Sequence, residues 1–288
     1  MKSRIILAGI ARLLALMLTA SLAGALLLRY APGFSSDERE LNTGLSAGSI
    51  QAIRQERLAQ GNVPSFYLHY LASLCRGDLG NSISLNQPVR SLLHDRLPVT
   101  LQNLFLALLL AWIVGLALAF TSQLTRSRLA VAAGEGVSGV LISTPAAALA
   151  LLFVLFRFPL WTAAGLLILP KIYRYSSNLL GEGYEKPHVL MARAKGAGPW
   201  GILFRHVVPA ALPQWVSLLG VSVSIAIGVM LPLEAIGDVP GIGQLAWQAA
   251  LSRDLPLLVN LTMAVTFLSV AATTLSDSAK HSLLRNAA

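Results

Sequence analysis

Cysteine is almost missing: Cys75 is the only one in 288 residues. That excludes an intramolecular disulfide, and with no second thiol it excludes a cysteine redox pair or a cysteine-built metal cage. Charge is scarce too. Only 12% of residues are Asp, Glu, Lys or Arg, against about 25% in a soluble domain, so water is not the main solvent of this chain. Several chemical signatures are also lacking. No GxxxxGK[ST] phosphate loop occurs, and at 195–196 the Lys precedes the Gly, the reverse of the order needed to cradle phosphates. No HExxH or GxSxG is present, and His69, His94, His188, His206 and His281 stand apart from one another in the sequence. The chain therefore shows no catalytic residues, no metal site and no nucleotide site of its own.

What is abundant is apolar sequence, 55% of the residues, gathered in blocks. A hydrocarbon core about 30 Å thick needs roughly 20 helical residues. Six such spans are expected, at 13–28, 98–121, 131–156, 160–175, 212–233 and 255–274. The fourth is the shortest, with Arg157 and Lys171 close to its ends and Pro170 inside it. The first resembles a secretory signal, with Lys2, Arg4 and Arg12 ahead of it, but it exceeds the roughly 7–15 residues of a signal core and polytopic sequence follows. The fold class is an all-α polytopic membrane protein. Its organisation is expected to be a first helix with a long outer loop, 1–97, followed by a five-helix core, 98–288. No internal repeat is evident.

A net charge of +9 could indicate nucleic acid, yet basic residues flanking apolar spans are more simply orientation signals. Thirteen of the 22 Lys and Arg fall on one side of the six-span map: Lys2, Arg4, Arg12, Arg126, Arg128, Lys171, Arg174, Lys186, Arg193, Lys195, Arg205, Lys280 and Arg285. By the positive-inside rule both termini should be cytoplasmic in a cell inner membrane. The opposite side holds the long loop 29–96, whose stretch 49–74 is spaced loosely like an amphipathic helix. Two acidic residues near span ends, Glu135 and Asp277, are expected to be structural anchors paired with Arg126, Arg128 or Lys280, because a charge is costly only near the bilayer centre.

The most informative segment is the inner loop 184–213. There Ala192, Ala194, Gly196, Ala197 and Gly198 alternate with Arg193 and Lys195, and Pro199 follows. Small side chains let another surface approach closely, and Gly-Pro ends a helix and turns the chain. A docking helix and a merely topogenic basic loop both fit these residues.

With its neighbours the segment becomes more specific. ARAKG at 192–196, then Arg205-His206 and a proline-containing entry to the next span, resembles the cytoplasmic coupling loop of binding-protein-dependent ABC importer permeases of the peptide and nickel branch. Other segments resemble that branch in the same order. They are Arg29-Tyr30-Ala31-Pro32-Gly33; Gly77 to Ser82 with Pro88-Val89 and Arg96-Leu97-Pro98-Val99-Thr100; and Glu234 with Pro240-Gly241-Ile242-Gly243 and Arg253-Asp254-Leu255-Pro256. The resemblance implies a transport subunit rather than an enzyme. It implies a second, commonly non-identical permease subunit, two cytoplasmic ATPases that bind the ATP, and a periplasmic or surface binding protein that delivers a peptide, nickel or a metal chelate. Ala192, Arg193, Ala194, Lys195 and Gly196 would then be the ATPase-coupling residues. Glu234, Asp238, Pro240, Gly241, Gly243, Arg253 and Asp254 would be outer-gate candidates, with loop ordering as the competing role of Glu234 and Asp238.

Three departures from the branch stand out: a tight turn, Phe156-Arg157-Phe158-Pro159, in place of an appreciable outer segment; Phe34 where an acidic residue is common; and Leu190-Met191 ahead of ARAKG. The rivals are a secondary transporter not driven by ATP and a membrane-embedded enzyme. The first should show ionisable residues near the midplane, and the second a catalytic pair within the spans.

Overall fold

A computed structural model describes residues 2–30, 70–74, 76–125 and 127–287. Residues 31–34, the expected amphipathic stretch apart from 70–74, His69 and Cys75 lie outside them. The elements are α1 (Lys2–Tyr30), α2 (Val89–Thr125), α3 (Arg128–Ser143), α4 (Ala146–Leu155), α5 (Leu160–Tyr184), α6 (Pro187–Ala194), α7 (Pro199–Ile202), a π turn (Leu203–Val207), α8 (Val208–Ile236), α9 (Ile242–Leu251) and α10 (Leu255–Ala287). Among the described residues no strand forms, only an isolated bridge between Asn81 and Pro88.

Three helical runs are long and apolar enough to cross a membrane: Val89–Thr125, Pro199–Ile236 and Leu255–Arg285. These hold the expected second, fifth and sixth spans. The third is a pair of helices, α3 and α4, bent by 91° where Thr144 and Pro145 are both extended. Pro145 forces this break, since a residue before proline is pushed out of the helical region. The first expected span lies in α1, whose apolar stretch is Leu13–Leu27, and the fourth lies in α5. Helix α2 begins nine residues ahead of its hydrophobic block and passes through Pro98, so the hydropathy edge is not the helix edge.

The chain divides into two compact units, Met1–Arg96 with Leu245–Phe267, and Leu97–Gln244 with Leu268–Ala288. The core of the first gathers Ala25, Tyr70, Leu255, Val259 and Met263, with Met17, Leu22 and Leu26 packed against them. Gly24 of α1 lets the helices come together there: a Cβ on it would lie 3.3 Å from Thr262. In the second unit α5 is the central element, packed on α8, α3 and α4. Ile168, Ile172, Tyr173 and Leu180 are wholly buried. A Cβ on Gly165 would sit 3.0 Å from the Ala107 carbonyl oxygen of α2, so the two backbones are in near contact, as small residues permit between membrane helices. Along α8 and α10 the contact is polar and small. Ser217 donates to Asp277 (3.2 Å), Ser269 to Ser224 (2.7 Å), and Gly220 faces Ser276.

Candidate functional site

The docking segment is a short helix with a built-in stop. In α6, Pro187 occupies the first turn, where its missing N–H costs nothing. The helix ends at Ala194 because Gly196 takes φ +82°. The Gly196 N–H then donates to Arg193 O (3.0 Å) and the Ala197 N–H to Ala192 O (3.2 Å), the paired bonds of a Schellman stop. The small residues therefore act differently from the sequence expectation. Gly196 ends the helix, whereas Gly198-Pro199 opens the next one, with Gly198 as N-cap and Pro199 in the first turn. A Cβ on Gly196 would meet nothing within 4 Å, so it is the backbone angle that requires glycine there.

Val189 is the one side chain of α6 that is buried, and Leu190 and Met191 are 50% and 62% exposed. Arg193, Ala194, Lys195 and Gly196 are all exposed, and Ala192 is half-buried. Arg193 and Ala197 also line a cavity of about 280 Å³ together with Gln123, Leu124, Tyr184, Pro199 and Ile202. His188 and His206, eighteen residues apart in sequence, come together with ring centroids 6.4 Å apart.

Past α7 the backbone does not pass straight into α8. The Val208 N–H reaches back five residues to Leu203 O, so Leu203–Val207 is a π turn carrying one residue more than an α-helical turn would. From there α8 runs to Ile236.

At the far end of α8 the outer-gate candidates around Glu234 form a hydrogen-bonded cluster. Glu234 is fully buried. Its Oε2 accepts from the Thr100 hydroxyl (3.0 Å) and from the Gly243 N–H (2.8 Å), and Thr100 in turn accepts from the Ile242 N–H (2.8 Å). Thus two side chains, one from α2 and one from α8, satisfy the first two amides of α9, which have no acceptor within their own helix. The glycines of the Pro240-Gly241-Ile242-Gly243 run are explained by packing. A side chain on Gly241 would collide with the Glu234 carboxylate, and one on Gly243 with the Leu231 backbone. The second carboxylate oxygen, Oε1, has no hydrogen-bond partner among the described residues. Asp238 sits just past the end of α8 with φ 52° and accepts from the Gln244 side-chain amide, while the Val239 N–H closes on Glu234 O (3.0 Å).

Asp254, in the other unit, is a second buried acceptor. Its Oδ2 takes the Ser82 hydroxyl (2.6 Å), the Ser84 N–H (2.9 Å) and the Ser84 hydroxyl (2.8 Å), and Oδ1 takes the Leu257 N–H (3.1 Å). It caps α10 and fastens the preceding loop to it at once. Asn260, six residues further on, accepts from Tyr70 (2.7 Å) and donates to Leu79 O (3.0 Å). Arg253 holds φ 56° in the turn between α9 and α10.

The structure thus brings Glu234, Gly241 and Gly243 together and places Asp254 in a separate cluster. Thr100, Ser82, Ser84 and Asn260 had not been recognised as partners. The available signal is that Ser82 ends the motif segment ahead of the second span and Thr100 ends the one that opens it. Among the described residues Glu135 pairs with Arg174 of α5 (3.5 Å), and Arg126 lies outside them. Asp277 takes the Ser217 hydroxyl instead of Lys280.

Comparison with known proteins gives these elements a context. A putative peptide transport system permease protein of Brucella melitensis is 29% identical over 306 residues, covering 96% of each chain. A probable peptide ABC transporter permease of Sinorhizobium fredii is 26% identical, covering 88% of this chain and 89% of its own. The dipeptide transport system permease of Bacillus subtilis is 26% identical, covering 68% and 70%. Such relatives are transport subunits and not enzymes, which leaves both rival classes without support. The family model described as "binding-protein-dependent transport system inner membrane component" matches residues 107–286, and since this is more than half of the chain, the protein belongs to that family of membrane-spanning ABC importer permeases.

Proposed function

We propose that this permease moves a peptide-class solute and that α6 with its Gly196 stop is the face on which a cytoplasmic ATPase subunit docks. The observation that carries the docking reading is the exposure of apolar and basic side chains side by side. Leu190 and Met191 stand uncovered on a short helix, beside the exposed cations Arg193 and Lys195. An apolar centre with a charged rim is the anatomy of a protein interface. Both termini share the cytoplasmic side with α6. A second permease subunit completes the pathway, two ATPases bind the ATP, and a binding protein delivers the cargo at the opposite face. Peptide is favoured over nickel or a chelate because the relatives above are described as peptide or dipeptide permeases. The clusters around Glu234 and Asp254 serve, each within its own unit, to order the outer segments at which cargo arrives.

The test is copurification with the ATPase subunits of its transport system, with Leu190→Asp and Met191→Asp introduced together. Loss of the ATPase from a normally inserted double variant supports the reading, and undiminished recovery overturns it. Calorimetric titration of the cognate binding protein with di- and tripeptides decides the cargo.

A further inference from the structure

The docking segment reaches the spans by side chains as well as by backbone. Trp200 of α7 and Phe204 of the π turn stack with ring centroids 5.9 Å apart and planes 4° from parallel. Both rings are uncovered, at 62% and 52% exposure. Phe204 also lies 6.3 Å from Phe120 of α2. Phe120 in turn meets Trp215 of α8 edge-on, at 5.8 Å and 88°, and Trp215 is buried. Separations of about 4.5–7 Å are those of interacting aromatic pairs. Four rings therefore run without a gap from the exposed end of the docking segment to the interior, crossing from α7 to α2 and on to α8.

The backbone beneath this series is the π turn, and such turns concentrate at functional positions. Its extra residue sets the phase at which Phe204 leaves the helix, since each residue turns an α-helix by about 100°. Helix α8 is continuous with α7 through the π turn, so it follows α7 through its own hydrogen bonds. Helix α2 has no such backbone link to it; its side chains meet it at the ring pair of Phe120 and Phe204 and around the cavity that Gln123 and Leu124 share with Arg193 and Pro199.

We propose that Phe120 is a positioning residue through which movement of the docking segment is passed to α2, so that one ATPase stroke displaces two spans together. This rests on the docking reading above. Without the ring the ATPase still docks and α8 still moves, but α2, tied to α8 through bonds further along such as those of Trp112 with Ser222 and Thr100 with Glu234, follows less.

The experiment uses the assembled permease and ATPase complex in lipid nanodiscs. Spin labels are placed at Leu101→Cys on α2 and Leu219→Cys on α8 in a Cys75→Ser background, and their distance distribution is recorded with and without ATP. Phe120→Ala and Phe120→Leu are compared with Phe105→Ala, which removes an exposed ring from the same helix. The expected result is an ATP-dependent shift retained in Phe105→Ala and reduced at least twofold in both Phe120 variants, with the ATPase copurifying in normal amount. An undiminished shift in Phe120→Leu overturns the proposal, even where Phe120→Ala proves unstable. Failure of the docking reading appears separately, as an ATPase still bound when Leu190 and Met191 are both replaced by Asp.

Discussion

At the scale of single residues, function and stability meet in the buried acceptors. Glu234→Ala removes the partner of a buried hydroxyl and of a buried N–H, each costing about 1–3 kcal/mol. We expect a clear fall in the melting temperature of the purified protein. Glu234→Gln, which keeps an acceptor oxygen, should lose less. Thr100→Val should also destabilise, and the double variant should fall short of the sum, because both residues serve one network. Gly196 is a different case, since its requirement is a positive φ rather than space. Asn tolerates that region better than Ala despite its greater bulk. Gly196→Asn should therefore retain more ATPase binding than Gly196→Ala, with Gly196→Val weakest, as measured by copurification. An order that follows side-chain volume would show that close approach matters instead. The identity of these residues was readable in the sequence as separate motif fragments. That Thr100 bonds to Glu234, and Ser82 to Asp254, was not, because no periodicity reports a contact between residues 134 or 172 positions apart.

Among the elements, α5 teaches most about what hydropathy can see. It carries Lys171, Arg174 and Pro170 and is the weakest of the six expected spans, yet it is the best-buried helix of its unit. A span wrapped by protein needs fewer apolar residues than one facing lipid, because neighbouring helices rather than acyl chains cover it. Its packing depends on glycine. Gly165→Ala would force a Cβ against the Ala107 carbonyl and the Leu110 side chain, and overpacking of this kind typically costs about 1–3 kcal/mol. Gly136→Ala on α3, where the added carbon meets nothing within 4 Å, should be neutral or slightly stabilising. Thermal unfolding of the two variants side by side tests the contrast. The broken α3–α4 pair was also hidden from the sequence map, since its apolar block runs on through Thr144 and Pro145. The proline was the available signal.

For the whole molecule, the class was legible from composition and charge placement, because the bilayer sets span length and the membrane sets the loop bias. Topology follows as an expectation: reporter fusions after 196 and at the C-terminus should report the cytoplasm, and one at 84 the opposite face. A cytoplasmic signal from 84 would break the six-span map. The π turn then has a consequence for how this chain tolerates change in length. It behaves as a one-residue insertion absorbed in place, so the protein carries a spare residue at the junction between its driven segment and its pathway. Deleting Arg205 would let an ordinary α-helical turn close there, leaving the register of α8 intact while rotating everything from α6 to α7 by about 100° about the helix axis. The same lost residue would turn the buried Val189 and Ile202 out of their places, so at this one position chain length bears on packing and on coupling together.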